Sequence, residues 1–177
     1  MKKYIFLSLL LCFTLVMTGC SSKGKTASGK LKVTEENKSY LDIYEKSLQG
    51  YVLEMNAILK TFNNSVDGLY TQQYSREQFK TAIKGTIEKS NALVTEIESV
   101  DVKPELFEAN QSLIAMVNRS HQLLLNAIDM ANKEDTDIDK DYLRSEYMDI
   151  KIQQAEIANQ WKILREELEI AEQGANQ

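Results

Sequence analysis

Five acids in this 177-residue chain stand at a spacing that could hold a cation. Asp135, Asp137, Asp139 and Glu146 fall at positions 1, 3, 5 and 12 of an EF-hand loop, with Asp141 between them, and carboxylates there supply the oxygen ligands that calcium needs. The turn glycine is missing, because Lys140 occupies the sixth position and Tyr142 the eighth. Leu143 already belongs to a helical apolar stripe, so such a loop would have to melt a helix start. The reading the spacing favours is that Asp137 or Asp139 caps a helix and the other acids suit its positive end, with no metal and no cofactor. His121 is the only histidine. One imidazole leaves no pair of Glu-x-x-His di-iron motifs, and with two cysteines in the chain no His-Cys metal cluster, while its place on an apolar helix face disfavours a Ser-His-Asp triad. His121 and Trp161 both fall on apolar faces, where packing is the expected role. No catalytic residue is assigned.

The remaining chemistry lies at the amino terminus. Lys2 and Lys3 precede an apolar run from Tyr4 through Val16, and small residues follow before Cys20, which is the layout of a secretory signal. The run is shorter than the roughly 20 residues that cross a bilayer as a helix. Met17-Thr18-Gly19-Cys20-Ser21-Ser22 resembles the lipobox of bacterial lipoproteins, with methionine where that pattern usually has leucine. The resemblance implies removal of residues 1–19, diacylation of Cys20 and attachment to the extracytoplasmic face of the cell membrane. Cys12 would leave with the signal, so Cys20 would be the only cysteine of the mature chain and no internal disulfide could form.

Charge is divided along the chain. Residues 20–33 hold Lys23, Lys25, Lys30 and Lys32 without an acid, a net of +4, whereas residues 34–177 hold 15 basic residues against 26 acids, a net of −11. A Ser/Gly/Lys-rich stretch of that length has a root-mean-square reach of roughly 20 Å and is expected to be a flexible tether. Its lysines suit an anionic membrane surface, and the acidic body is repelled from that surface and from nucleic acid.

The body must position whatever function there is. Turn-forming residues are scarce, with one proline in the chain, which disfavours a sandwich or barrel. Leu41, Tyr44, Leu48, Tyr51, Met55, Ile58, Phe62 and Val66 recur at three-four spacing and predict one long amphipathic helix, capped by Thr34 and closed by Asp67-Gly68 with Gly68 in the left-handed position. Ser75-Arg76-Glu77-Gln78 reads as a capping box for a second helix through Phe79, Ile83, Ile87, Val94 and Ile97, with Gly85 a weak point. Pro104 opens a third helix with a stripe at Leu106, Phe107, Leu113, Ile114, Val117, His121, Leu124, Leu125 and Ile128. Leu143, Tyr147, Ile150, Gln154, Ile157, Trp161, Leu164, Leu168 and Ala171 predict the fourth, with Ile163 and Ile170 beside the stripe.

These faces are too wide for a two-stranded seam, and the prediction is an all-α, up-down four-helix bundle over residues 34–177. The alternative is a three-helix core with a loosely docked second helix. The whole chain is similar in pattern to the small helical lipoproteins of Gram-positive bacteria. The expected function is a non-catalytic interaction module, monomeric and membrane-anchored, that meets an envelope protein or cell-wall component. The alternative is a small-ligand or metal-binding lipoprotein.

Overall fold

The computed structural model describes residues 35–175. Residues 1–19, the tether with Cys20, and Thr34 lie outside the described residues. Among the described residues four helices follow one another: α1 (Glu35–Tyr70), α2 (Arg76–Glu98), α3 (Phe107–Asn132), preceded by a single 3-10 turn at Pro104–Leu106, and α4 (Lys140–Ala175). Each helix packs against the next, and α4 returns to α1. The Arg76 side chain lies against the end of α3, and α4 runs from Asp141 beside Tyr70 to Trp161 beside Tyr44. Sequential neighbours are therefore antiparallel, and the arrangement is the up-down four-helix bundle.

One seam of the core alternates three and four. In α2 it is Phe79, Ile83, Thr86, Ser90, Leu93 and Ile97, and in α3 and the turn before it the seam is Leu106, Asn110, Leu113, Val117, Ser120, Leu124, Ala127 and Ala131, all buried, with Met116 and Leu123 of α3 buried beside it. This seam passes through small polar positions that an apolar count skips. Thr86 and Ser120 satisfy their hydroxyls by donating to carbonyls one turn back, at 2.8 and 2.9 Å, so they cost the interior little. The same register corrects the stripes read from hydrophobicity. Ile87 and Val94 are half-buried flanks, and Phe107 is exposed because Leu106 takes the inward position of that turn. Phe79, Ile83, Leu93 and Ile97 are almost inaccessible to solvent, so α2 is a full member of the core and the loosely docked alternative falls.

The capping box at Ser75 is present in both directions. The Gln78 N–H donates to Ser75 Oγ at 3.3 Å, and the Ser75 N–H donates to Gln78 Oε1 at 2.8 Å. The end of α1 differs from its sequence reading. The helix continues through Gly68 to Tyr70, and the left-handed residue is Gln72, with φ of 57°. Gly68 serves a different need: a Cβ there would stand 2.7 Å from Tyr74 Cγ, and the Tyr74 N–H donates to the Gly68 carbonyl at 3.0 Å. The missing side chain lets the α1–α2 connection fold back on the helix. Gly85, on an open surface of α2, has no such neighbour.

These two glycines give opposite expectations. Gly85→Ala should raise the unfolding free energy by about 0.5–1 kcal/mol through helix propensity alone. Gly68→Ala should not yield that gain, because the Tyr74 ring must move. Urea titration of the two variants decides it, and equal gains would show that Tyr74 does not pack on the helix.

Candidate functional site

The acids of residues 135–146 do not converge. Asp139 Oδ1 accepts the Tyr142 N–H at 2.9 Å and so caps α4. Asp141 accepts the Tyr70 hydroxyl from α1, while Glu146 accepts from Arg119 of α3 at 3.2 Å. Asp135 and Asp137 are exposed in the connection. The helix start separates side chains that a metal loop would gather, and among the described residues no group of His, Cys, Asp and Glu is placed to hold a metal ion. His121 sits half-buried beside the α3 seam, its Nδ1 3.1 Å from the buried Ser90 hydroxyl of α2. That contact joins two helices and leaves the imidazole in a structural setting.

Trp161 packs against Tyr44, ring centroids 5.4 Å apart and planes at 52°, at the end of the bundle where α1 begins. The Tyr44 hydroxyl donates to Asn110 Oδ1 at 3.3 Å, linking α1 to the diagonal helix α3. Burial, with Tyr51 nearby, pushes the Tyr44 hydroxyl up to about 12.

The opposite end is tied by charge. The Arg76 guanidinium, in the first turn of α2, donates to the carbonyls of Met130 (3.1 Å), Ala131 (3.5 Å), Lys133 (2.8 Å) and Thr136 (2.6 Å). A helix leaves its last carbonyls without partners and its carboxyl end partly negative, and a planar guanidinium meets both conditions. At the same end, Arg144 of α4 donates to Asn63 and Asp67 of α1, and Asn63 Nδ2 donates to Asp67 Oδ2 at 3.0 Å. Sequence reasoning missed both arginines. Arg76 reads as a member of the capping box, and only the antiparallel neighbour shows what it reaches.

A shallow groove between α3 and α4 is lined by Ala115, Arg119, Asp149, Ile152, Gln153 and Glu156. Large apolar side chains stand on outward helix faces, Ile43 and Leu53 of α1 being 65% and 70% exposed. No helix among the described residues is long and apolar enough to cross a membrane. No family model, no curated protein and no solved structure matches this chain.

Two expectations follow. Arg76→Ala should destabilise the bundle by about 1–2 kcal/mol, and Arg76→Lys should recover only part, since a point charge cannot span four carbonyls; full recovery by lysine in thermal unfolding would reduce the role of Arg76 to charge alone. Tyr44 sets an alkaline limit. The folded state favours its neutral phenol, so this contribution is complete below about pH 10, where the unfolded tyrosine titrates, and declines as pH rises toward 12. Tyr44→Phe should flatten that decline, and an identical alkaline profile would show that Tyr44 does not cause it.

Proposed function

We propose that this chain is a lipid-anchored, extracytoplasmic module of a bacterial envelope that works by binding another envelope protein or cell-wall component, without catalysis. The observation that carries the proposal is the outward face of α1. Ile43, Lys46, Gly50, Leu53 and Ala57 recur at three-four spacing and are all exposed. A helix of a self-contained bundle has no packing reason to keep an isoleucine and a leucine on its solvent side, and such faces commonly mark binding surfaces. The amino-terminal sequence supports the location: the basic start, the apolar run and Met17-Thr18-Gly19-Cys20 supply one anchor, and four lysines supply a second attraction to an anionic surface. The body, with its net charge of −11, is repelled by the same surface and held facing away from it.

Two arms test the proposal. Metabolic labelling with a fatty-acid analogue should mark the native protein and not Cys20→Ala; label retained by that variant removes the anchor. Cross-linking in intact cells should recover a specific protein or wall component with the native chain and lose it with Leu53→Glu, a change at a solvent-facing position that leaves the helical content intact. Recovery of the same material by Leu53→Glu, or turnover of an envelope substrate by the purified protein, would overturn the interaction reading.

A further inference from the structure

A second apolar stripe runs along α4 on the side away from the core. Met148, Ile152 and Ala155 follow at three-four spacing, with Asn159 next in the same phase, all exposed, and Ile163 continues the stripe a turn further on. At 100° per residue these positions lie opposite Leu143, Ile150, Gln154 and Ile157, which face the bundle interior. The helix therefore has two apolar faces, of which the bundle covers one.

The charges beside this stripe are sorted by sign. Arg144 and Lys151 stand on one flank, and Asp149 and Glu156 on the other. Arg144 and Asp149 have partners inside the bundle, in Asp67 and Arg119. Lys151 and Glu156 have no charged partner among the described residues. The Lys151 ammonium donates only to amide oxygens, Asn56 Oδ1 at 2.8 Å and Gln154 Oε1, with no carboxylate partner among the described residues. Glu156 is exposed and makes no hydrogen bond or ion pair among the described residues.

We propose that this face of α4 docks a second copy of the same chain as a parallel, in-register pair. Met148, Ile152 and Ala155 would meet their own counterparts, and Lys151 would face the partner's Glu156. The polarity follows from the sorted flanks. In two parallel helices a residue on one flank faces the partner residue five positions on, on the other flank. That rule matches Lys151 with the partner's Glu156 and Arg144 with the partner's Asp149. An antiparallel pair would set each flank against itself, basic on basic and acidic on acidic. Ala155, at the centre of the stripe, lets the two backbones approach closely. The inference is independent of the α1 face and of the anchor, and it departs from the monomer expected from the sequence.

The test uses the full chain in a non-ionic detergent, with Cys12→Ser and Cys20→Ser so that single cysteines can report. Oxidation should link Ala155→Cys chains into a disulfide dimer, and Met148→Cys chains likewise, because in a parallel pair each residue meets itself within disulfide reach. Adding Ile152→Lys should cut the yield by at least about tenfold, as like charges are forced together in the seam. Glu156→Lys alone should weaken the link at low salt, and Lys151→Glu with Glu156→Lys should restore it. The proposal is overturned if Ala155→Cys stays monomeric, or if its link is indifferent to Ile152→Lys. It is equally overturned if Ala155→Cys links while Met148→Cys does not, the result expected of an antiparallel pair centred on Ala155.

Discussion

An amphipathic helix whose apolar face is wider than a two-position seam cannot be covered by one neighbour, and all four helices here are of that kind. Each must touch two others, and with short connections the order that achieves this is the closed ring α1–α2–α3–α4. The ring needs a common register so that layers from four helices meet at one height. Phe62 of α1 with Tyr147 of α4, and Met55 of α1 with Ser120 of α3, show two such layers. The polar seam residues are consistent with that demand. A larger side chain at Ser90 or Ser120 would have to displace a neighbouring helix, so small residues stand where helices come close, Ser120 bonding within its own helix and Ser90 with His121 of α3.

The two ends of the ring are closed by different physics. Where α1 ends and α4 begins, orphan carbonyls and helix dipoles must be answered, and Arg76, Arg144, Asp139 and Asp141 do so by charge and hydrogen bonding. Arg76 stands at the positive end of its own helix, a locally unfavourable place for a cation. That cost is offset by the four carbonyls it reaches at the negative end of α3. At the other end, where α1 begins, closure is aromatic: Tyr44 and Trp161 pack ring on ring, Tyr44 bonds across the bundle to Asn110, and the Lys103 ammonium stands over the Tyr40 ring at 4.1 Å.

This division explains what could be read from the residue order. The number of helices, their approximate limits, the capping box at Ser75 and the helix start among the acids of residues 135–146 are local properties, carried by spacing and cap chemistry within one segment. The inward phase of α2 and α3 was less legible, because Thr86, Ser90, Asn110 and Ser120 are polar by type and buried by position. Gly68 misled for a related reason. Its sequence context suits a left-handed cap, whereas its structural role is clearance for the ring of Tyr74, a contact made beyond the end of the helix. The bonds of Arg76 and Arg144 cross between helices and have no local signature at all. Among the candidate functional residues, the cation reading of Asp135, Asp137, Asp139 and Glu146 depended on a loop through all four, whereas α4 begins at Lys140 and carries Glu146 on the helix.

The surface is where the pattern of the sequence exceeds what folding requires. Residues facing solvent in a bundle need only be soluble and helix-forming, and charged residues satisfy both conditions on most of this body. The outer faces of α1 and α4 depart from that rule, α4 with Met148, Ile152 and Ala155 at helical spacing over successive turns and α1 with Ile43 and Leu53 in phase on either side of Lys46 and Gly50. A single exposed leucine is ordinary in any protein, but a stripe in phase with the helix means that one approaching surface could cover all of it at once. Since α1 and α4 are neighbours in the ring, their outer faces belong to adjacent sides of one body. The proposed pairing through α4 and the proposed capture of another partner through α1 therefore call on different residues, Met148, Ile152 and Ala155 for the one and Ile43 and Leu53 for the other.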